Sequence, residues 1–180
     1  SIVTKAFFSP NQGANDLSGA SPNPGNRTQI PPSTDNKLPV VYGDAWIGGQ
    51  IIDLSITSDN QDIYYVLALS EVTNTNTGQT PDTITFGNIY YGGKRVTFQS
   101  DGCTVASLTD ESTGEVDTAV AGKIQFYLYR NGSNQPTNTA LSAISVMQAD
   151  GLVYKWDNTK LMSNSAFMIL HLTYNSDAGI

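Results

Sequence analysis

The run Ser165-Ala166-Phe167-Met168-Ile169-Leu170-His171-Leu172-Thr173-Tyr174 decides how this chain must be built. It is long enough for a strand and is free of glycine and proline. Alternate residues of a strand face opposite sides of its sheet. One face then carries Ala166, Met168, Leu170, Leu172 and Tyr174, and the other carries Phe167, Ile169, His171 and Thr173. An antiparallel strand with one wet face alternates cleanly between apolar and polar. This one does not, so something covers both faces.

Residues 62–70 behave in the same way. Ile63, Tyr65, Leu67 and Leu69 line one face, and Tyr64, Val66 and Ala68 line the other. The run 121–130 is different, because Ile124, Phe126 and Leu128 alternate with Lys123, Gln125 and Tyr127. Two doubly apolar strands in a two-layer fold predict burial against another subunit. Tyr64, Val66, Ala68, Phe167, Ile169 and His171 are the residues expected at that oligomer interface. Burying each large apolar side chain is worth about 1.5–3 kcal/mol, so a handful per subunit would hold an oligomer firmly. Exposed, they would form an aggregation-prone patch. The competing explanations are that residues 1–37 fold back over this face, or that the protein has a third layer.

Around these two strands the sequence divides into an arm and a head. Residues 1–37 open with a short apolar stretch from Ile2 to Phe8, then run through Ser9-Pro10-Asn11-Gln12-Gly13 to Pro31-Pro32. Proline removes backbone donors and glycine resists ordering, so an extended Gly/Pro/Asn-rich arm or stalk remnant is expected there. Residues 38–180 read as one β-sandwich head. Short β runs are predicted near 38–42, 45–57, 62–70, 83–91, 94–99, 103–108, 121–130, 139–149, 152–157 and 165–174, each bounded by turn-forming residues. In 139–149, Leu141, Ile144 and Met147 recur at a helical spacing of three, but its length and neighbours favour a strand. Tyr90-Tyr91-Gly92-Gly93-Lys94-Arg95 is the sharpest local signal. Two glycines between β runs supply the positive φ angles of a two-residue hairpin turn. About ten short strands in one domain point to an all-β antiparallel sandwich, of which the jelly roll is a common form.

Composition narrows the function. Charged residues are 14% of the 180, and the net charge is -7. Ser, Thr, Asn, Gln and Gly supply most of the polar surface, as expected of a protein displayed outside cells. The nine Lys and Arg residues form no basic stripe, so nucleic acid is not an expected partner. No apolar run approaches the ~18 residues of a membrane span. The chain begins Ser1-Ile2-Val3 and reads as the C-terminal part of something longer. Cys103 stands alone, which rules out an intrachain disulfide; it reads as a small apolar residue in a strand.

The Ser9–Pro32 arm, the disulfide-free body 38–174 and the Phe167–Tyr174 strand together resemble the receptor-binding heads of trimeric viral spikes and fibres. The organisation is most similar to the C-terminal head of a tectivirus vertex spike, from a membrane-containing bacteriophage. The resemblance implies a tumour-necrosis-factor-like jelly roll, a homotrimer, a place at the capsid vertex beside other virion vertex proteins, and attachment to a host-cell surface receptor. It carries over no receptor-contacting residue.

Catalytic chemistry finds few candidates. His171 is the sole histidine and sits mid-strand, so a Ser-His-Asp triad would have to use it; the expected role is structural. A single Cys and a single His 68 positions apart make no zinc site. The acidic loops Asp59–Asp62 and Asp110–Asp117 match no calcium-loop spacing. The sequence is therefore read as a non-enzyme without cofactor or metal. Loops 71–82, 109–120 and 131–138 are the candidate recognition surfaces, with Tyr90, Tyr91 and Trp156 as candidate stacking faces. A capsid protruding domain with no recognition role and a bacterial adhesin or carbohydrate-binding module are the alternatives.

Overall fold

The computed structural model describes residues 37–180, apart from 74, 75, 77, 79, 134, 135 and 137–140. The expected arm, except Lys37, lies outside the described residues. Among the described residues, eight strands and one short helix make up the regular structure: β1 (Gln50–Ile56), β2 (Asp62–Glu71), β3 (Tyr90–Tyr91), β4 (Lys94–Phe98), β5 (Val105–Thr109), β6 (Val116–Asp117), β7 (Ile124–Tyr129), α1 (Ala143–Val146) and β8 (Ser165–Thr173). They form two antiparallel four-stranded sheets, ordered β1-β2-β8-β7 and β3-β4-β5-β6. The all-β reading is therefore correct. Its connectivity is a β1–β2 hairpin, a four-strand meander and an antiparallel β7–β8 pair joined by a long connection that contains α1, with β8 inside its sheet.

The Gly92-Gly93 turn forms as the sequence predicts. Both glycines have positive φ, 59° and 83°, and Tyr90 pairs with Arg95 while Tyr91 pairs with Lys94. Apart from Asn-Gly or Asp-Gly, most residue pairs would strain these two positions.

Leu67, Leu69, Met168, Leu170, Leu172, Ile124, Phe126 and Leu128 from the first sheet pack against Val96, Val105 and Leu108 from the second. This is the core between the sheets. The opposite face of the first sheet holds a second core, in which Tyr64, Val66, Tyr127, Tyr129, Phe167 and Ile169 meet Ala143, Val146, Met147, Leu152 and Trp156. Both faces of β2 and β8 are thus covered, as their residue patterns require.

The cover is not a second subunit. Phe167 and Ile169 are 0% exposed within a single chain, and Tyr64, Val66 and Ala68 are buried too. The interface assigned from the sequence is corrected on this point: the chain's own 143–156 segment forms a third layer over that face. These five residues keep at most 7% of their surface, at Tyr64, to give a partner. His171, whose side chain is 13% exposed, lies at the end of the same face.

That third layer also explains why residues 141–149 and 152–157 are not strands; 139 and 140, the start of the first expected run, lie outside the described residues. Ser142 caps α1, its Oγ accepting from the Ser145 backbone N–H at 3.2 Å. The buried set is Ala143, Val146 and Met147, spaced three and four apart as one helix face requires. Beyond Gly151, Leu152 makes only an isolated bridge to Thr57, while Val153 and Tyr154 are exposed. Residues 38–42, 45–49 and 83–89, also expected in strands, have no ladder partners. Phe86 and Ile89 instead pack singly against the inter-sheet core.

Candidate functional site

Irregular segments from three of the expected strands, 38–42, 45–57 and 83–91, build a concavity. Residues 41–47 and 84–90 enclose a groove of about 400 Å³, to which β2 and β8 contribute Leu69, Ser70 and Met168. This falls within the ~300–1,000 Å³ range of small-ligand sites.

Backbone contacts hold both walls. The Glu71 N–H donates to Pro39 O at 2.8 Å, and the Val41 N–H donates to Ser70 Oγ at 3.1 Å. The other wall is tied to β4 by the Val96 N–H donating to Ile89 O at 2.8 Å. Gly49 lets the first wall settle on β2: a Cβ there would stand 2.7 Å from Leu67 Cβ and 2.9 Å from Leu69 Cδ2. Only a residue without a side chain permits that approach.

Two aromatics meet across the groove. The rings of Trp46 and Tyr90 lie 4.9 Å apart at 60°. Tyr90 is buried and fixed, its hydroxyl donating to Glu111 Oε2 at 2.9 Å, while Arg95 Nε holds Glu111 Oε1 at 3.1 Å. Trp46 remains 61% exposed. Asp44, Thr85 and Asn88 add exposed polar groups, and among the described residues no Lys, Arg or His lines the groove. Such a site can stack on a ligand and hydrogen-bond to it.

Of the three stacking faces expected from the sequence, Tyr90 lines the groove and Trp156 and Tyr91 lie elsewhere. Trp156 is buried, with its Nε1–H donating to Asp53 Oδ2 at 2.7 Å and Lys160 Nζ 5.5 Å from its ring. Tyr91 packs edge-on to Phe126 in the core, so neither offers a platform to solvent. Sequence reasoning missed Trp46 by placing it in a strand over 45–57. The signal was Gly43 on one side and Gly48-Gly49 on the other, which break a ladder around an isolated tryptophan. Of the candidate loops, 109–120 is fully described and contains β6. Loops 71–82 and 131–138 fall partly outside the described residues.

Polar groups around His171 form a closed network. Its Nε2 lies 2.7 Å from Asp62 Oδ1 and its Nδ1 3.0 Å from Gln125 Oε1. Tyr127 donates to the same Gln125 oxygen at 2.5 Å, Thr173 donates to Asp62 at 2.7 Å, and Tyr64 stacks on the imidazole at 4.1 Å. Both ring nitrogens therefore face side chains other than a nucleophile, and the one N–H of the neutral ring can donate to either oxygen. Burial pushes the His171 pKa below its ordinary 6.5, with the Asp62 carboxylate working in the other direction. The unfolded chain then binds more protons than the folded one just below pH 6.5. Stability from this group is complete above that value and falls as the medium is acidified through it. The urea midpoint of the native protein should drop between about pH 7.5 and about pH 5, and His171→Gln should remove part of that drop. A native midpoint that rises on acidification would mean that the Asp62 pairing dominates.

The other titratable groups singled out by sequence are tied into turns. Burial disfavours the charged form of Asp101, but hydrogen bonds from the Thr104 hydroxyl and the backbone N–H groups of Cys103 and Thr104 outweigh it and hold the carboxyl at about 2. Asp110 accepts from Ser112 and Thr113 within its own turn, and Asp59 accepts from Thr57 and Gln61. Cys103 is buried, and burial raises its thiol pKa. Among the described residues, no three His, Cys, Asp or Glu side chains converge where they could hold a metal ion. No helix among them is long and apolar enough to cross a membrane.

No protein-family model, curated protein or solved structure matches this chain.

Proposed function

We propose that this chain is a recognition head that binds without catalysis, acting in host-cell attachment on a viral spike or fibre at the virion surface. The groove containing Trp46 carries the proposal. A largely solvated indole is held beside a fixed tyrosine in a concavity whose walls are tied to two sheets. Exposed aromatics in a preformed cleft are a common source of binding energy. The surface around it is rich in uncharged polar residues, consistent with display outside a cell.

The finer parts of this reading are a tumour-necrosis-factor-like relation, a homotrimer and a place among the vertex proteins. The two antiparallel sheets and the inner position of β8 agree with the first, whereas the uninterrupted β3–β6 meander departs from jelly-roll connectivity. A trimer would need a surface other than the β8 face. Ile52, Leu54, Val153 and Tyr154, exposed on and beside the edge strand β1, are the apolar residues to test.

Purified chain, added in excess, should block adsorption of the parent virus to its host, and Trp46→Ala should lose most of that block. Unimpeded adsorption with the native chain would reduce the protein to an architectural capsid part. A second reading, a carbohydrate-binding or adhesin module acting as a monomer, is favoured by the third layer, which leaves β8 no need of a partner. Native mass spectrometry separates the two: three subunits support the spike head, and one supports the module.

A further inference from the structure

We infer that the groove between residues 41–47 and 84–90 binds an uncharged saccharide, with Trp46 as its stacking platform and Asp44 as its main hydrogen-bond acceptor. This inference rests on the recognition reading and gives it a ligand class.

A pyranose ring presents an apolar face of C–H groups and a rim of hydroxyls. It therefore matches a site that pairs an aromatic surface with small polar groups. Trp46 supplies the surface: its ring touches Tyr90 at 4.9 Å yet stays 61% exposed. Tyr90 cannot turn away, because Glu111 holds its hydroxyl at 2.9 Å. A fixed neighbour lowers the entropy lost when a ligand closes on the indole. Asp44, Thr85 and Asn88 are exposed in the same groove. A carboxylate accepts two hydroxyl protons at once, which suits neighbouring sugar hydroxyls. Ser70 plays no part, since its hydroxyl already accepts from Val41 and donates to Glu71 O.

Charge selects among saccharides. Among the described residues the groove lining holds one carboxylate and no cationic side chain, and the whole chain has a net charge of -7. A sialylated or sulfated sugar would bring an anion toward Asp44 with nothing in the lining to pair it. Neutral hexose and N-acetylhexosamine units meet no such penalty.

The test uses the full chain against an array of uncharged oligosaccharides, with sialylated and sulfated counterparts printed beside them. Hits are titrated by tryptophan fluorescence. The chain has two tryptophans, and Trp156 is only 4% exposed, so a ligand-induced spectral change reports Trp46. At least one uncharged oligosaccharide should give saturable binding, with anionic counterparts weaker by about tenfold or more. Trp46→Ala should weaken binding by more than about tenfold. Asp44→Asn should weaken it several-fold with an unchanged melting curve, which guards against a merely misfolded Trp46 variant. Tyr174→Ala, a comparably exposed aromatic outside the groove, should bind as the native chain does.

Absence of any uncharged hit, or full binding by Trp46→Ala, overturns the saccharide assignment. If Trp46→Ala nevertheless loses the adsorption block, recognition stands and the partner is a protein. If the native chain fails to block adsorption, it is the recognition reading itself that fails.

Discussion

Phe167→Ala is expected to lower the unfolding free energy by about 3–5 kcal/mol, by the same amount at every protein concentration. Phe167 is 0% exposed and stacks on Tyr129 with ring centroids 4.7 Å apart and planes 16° from parallel. Truncation removes that contact and leaves a cavity facing Met147 and the rest of the α1 layer. The concentration dependence is the informative part. A face closed by another subunit would give a midpoint that rises with concentration. A face closed by the chain's own 143–156 segment gives one that does not. Urea unfolding of native protein and variant over a hundredfold dilution distinguishes these. Concentration-dependent midpoints would return Tyr64, Val66 and Phe167 to an intersubunit role.

Gly49→Ala should cost about 1–3 kcal/mol, a large penalty for one methyl group. The new Cβ would approach Leu67 Cβ to 2.7 Å, and a Cβ next to the backbone cannot swing aside as a side-chain tip would. Either β2 shifts or the 41–49 segment lifts. Lifting would carry Trp46 away from Tyr90, so its fluorescence should move toward that of a fully solvated indole. An unchanged midpoint and spectrum would show that this wall does not rest on β2.

What the sequence made legible was the part governed by period and turn chemistry. β2 and β8 announce themselves through apolar residues on both faces, and the β3–β4 hairpin through Gly92-Gly93. The requirement for double cover was also legible. The identity of the cover was not, because α1 is only four residues long and its Ala143, Val146 and Met147 face carries little apolar area by itself. Its burial is decided by Phe167 and Ile169, more than twenty positions away, which a local pattern does not encode. The groove was hidden for a related reason. Ile84 and Phe86 have the alternate spacing of an extended chain, and nothing local says that no strand lies beside them. Trp46 was therefore read as part of a ladder.

The position of β8 has a consequence for how the molecule comes into being. It pairs with β2 on one side and β7 on the other, and the Asp62–Thr173 contact at its far end joins residues 111 positions apart. Closing so long a loop is entropically expensive, and topologies dominated by such pairings fold slowly. A growing chain will have made the β1–β2 hairpin long before residues 165–173 leave the ribosome, so the inner edge of β2 must wait with its N–H and C=O groups unpaired. During that interval the half-built sheet is open to pairing with any other extended chain.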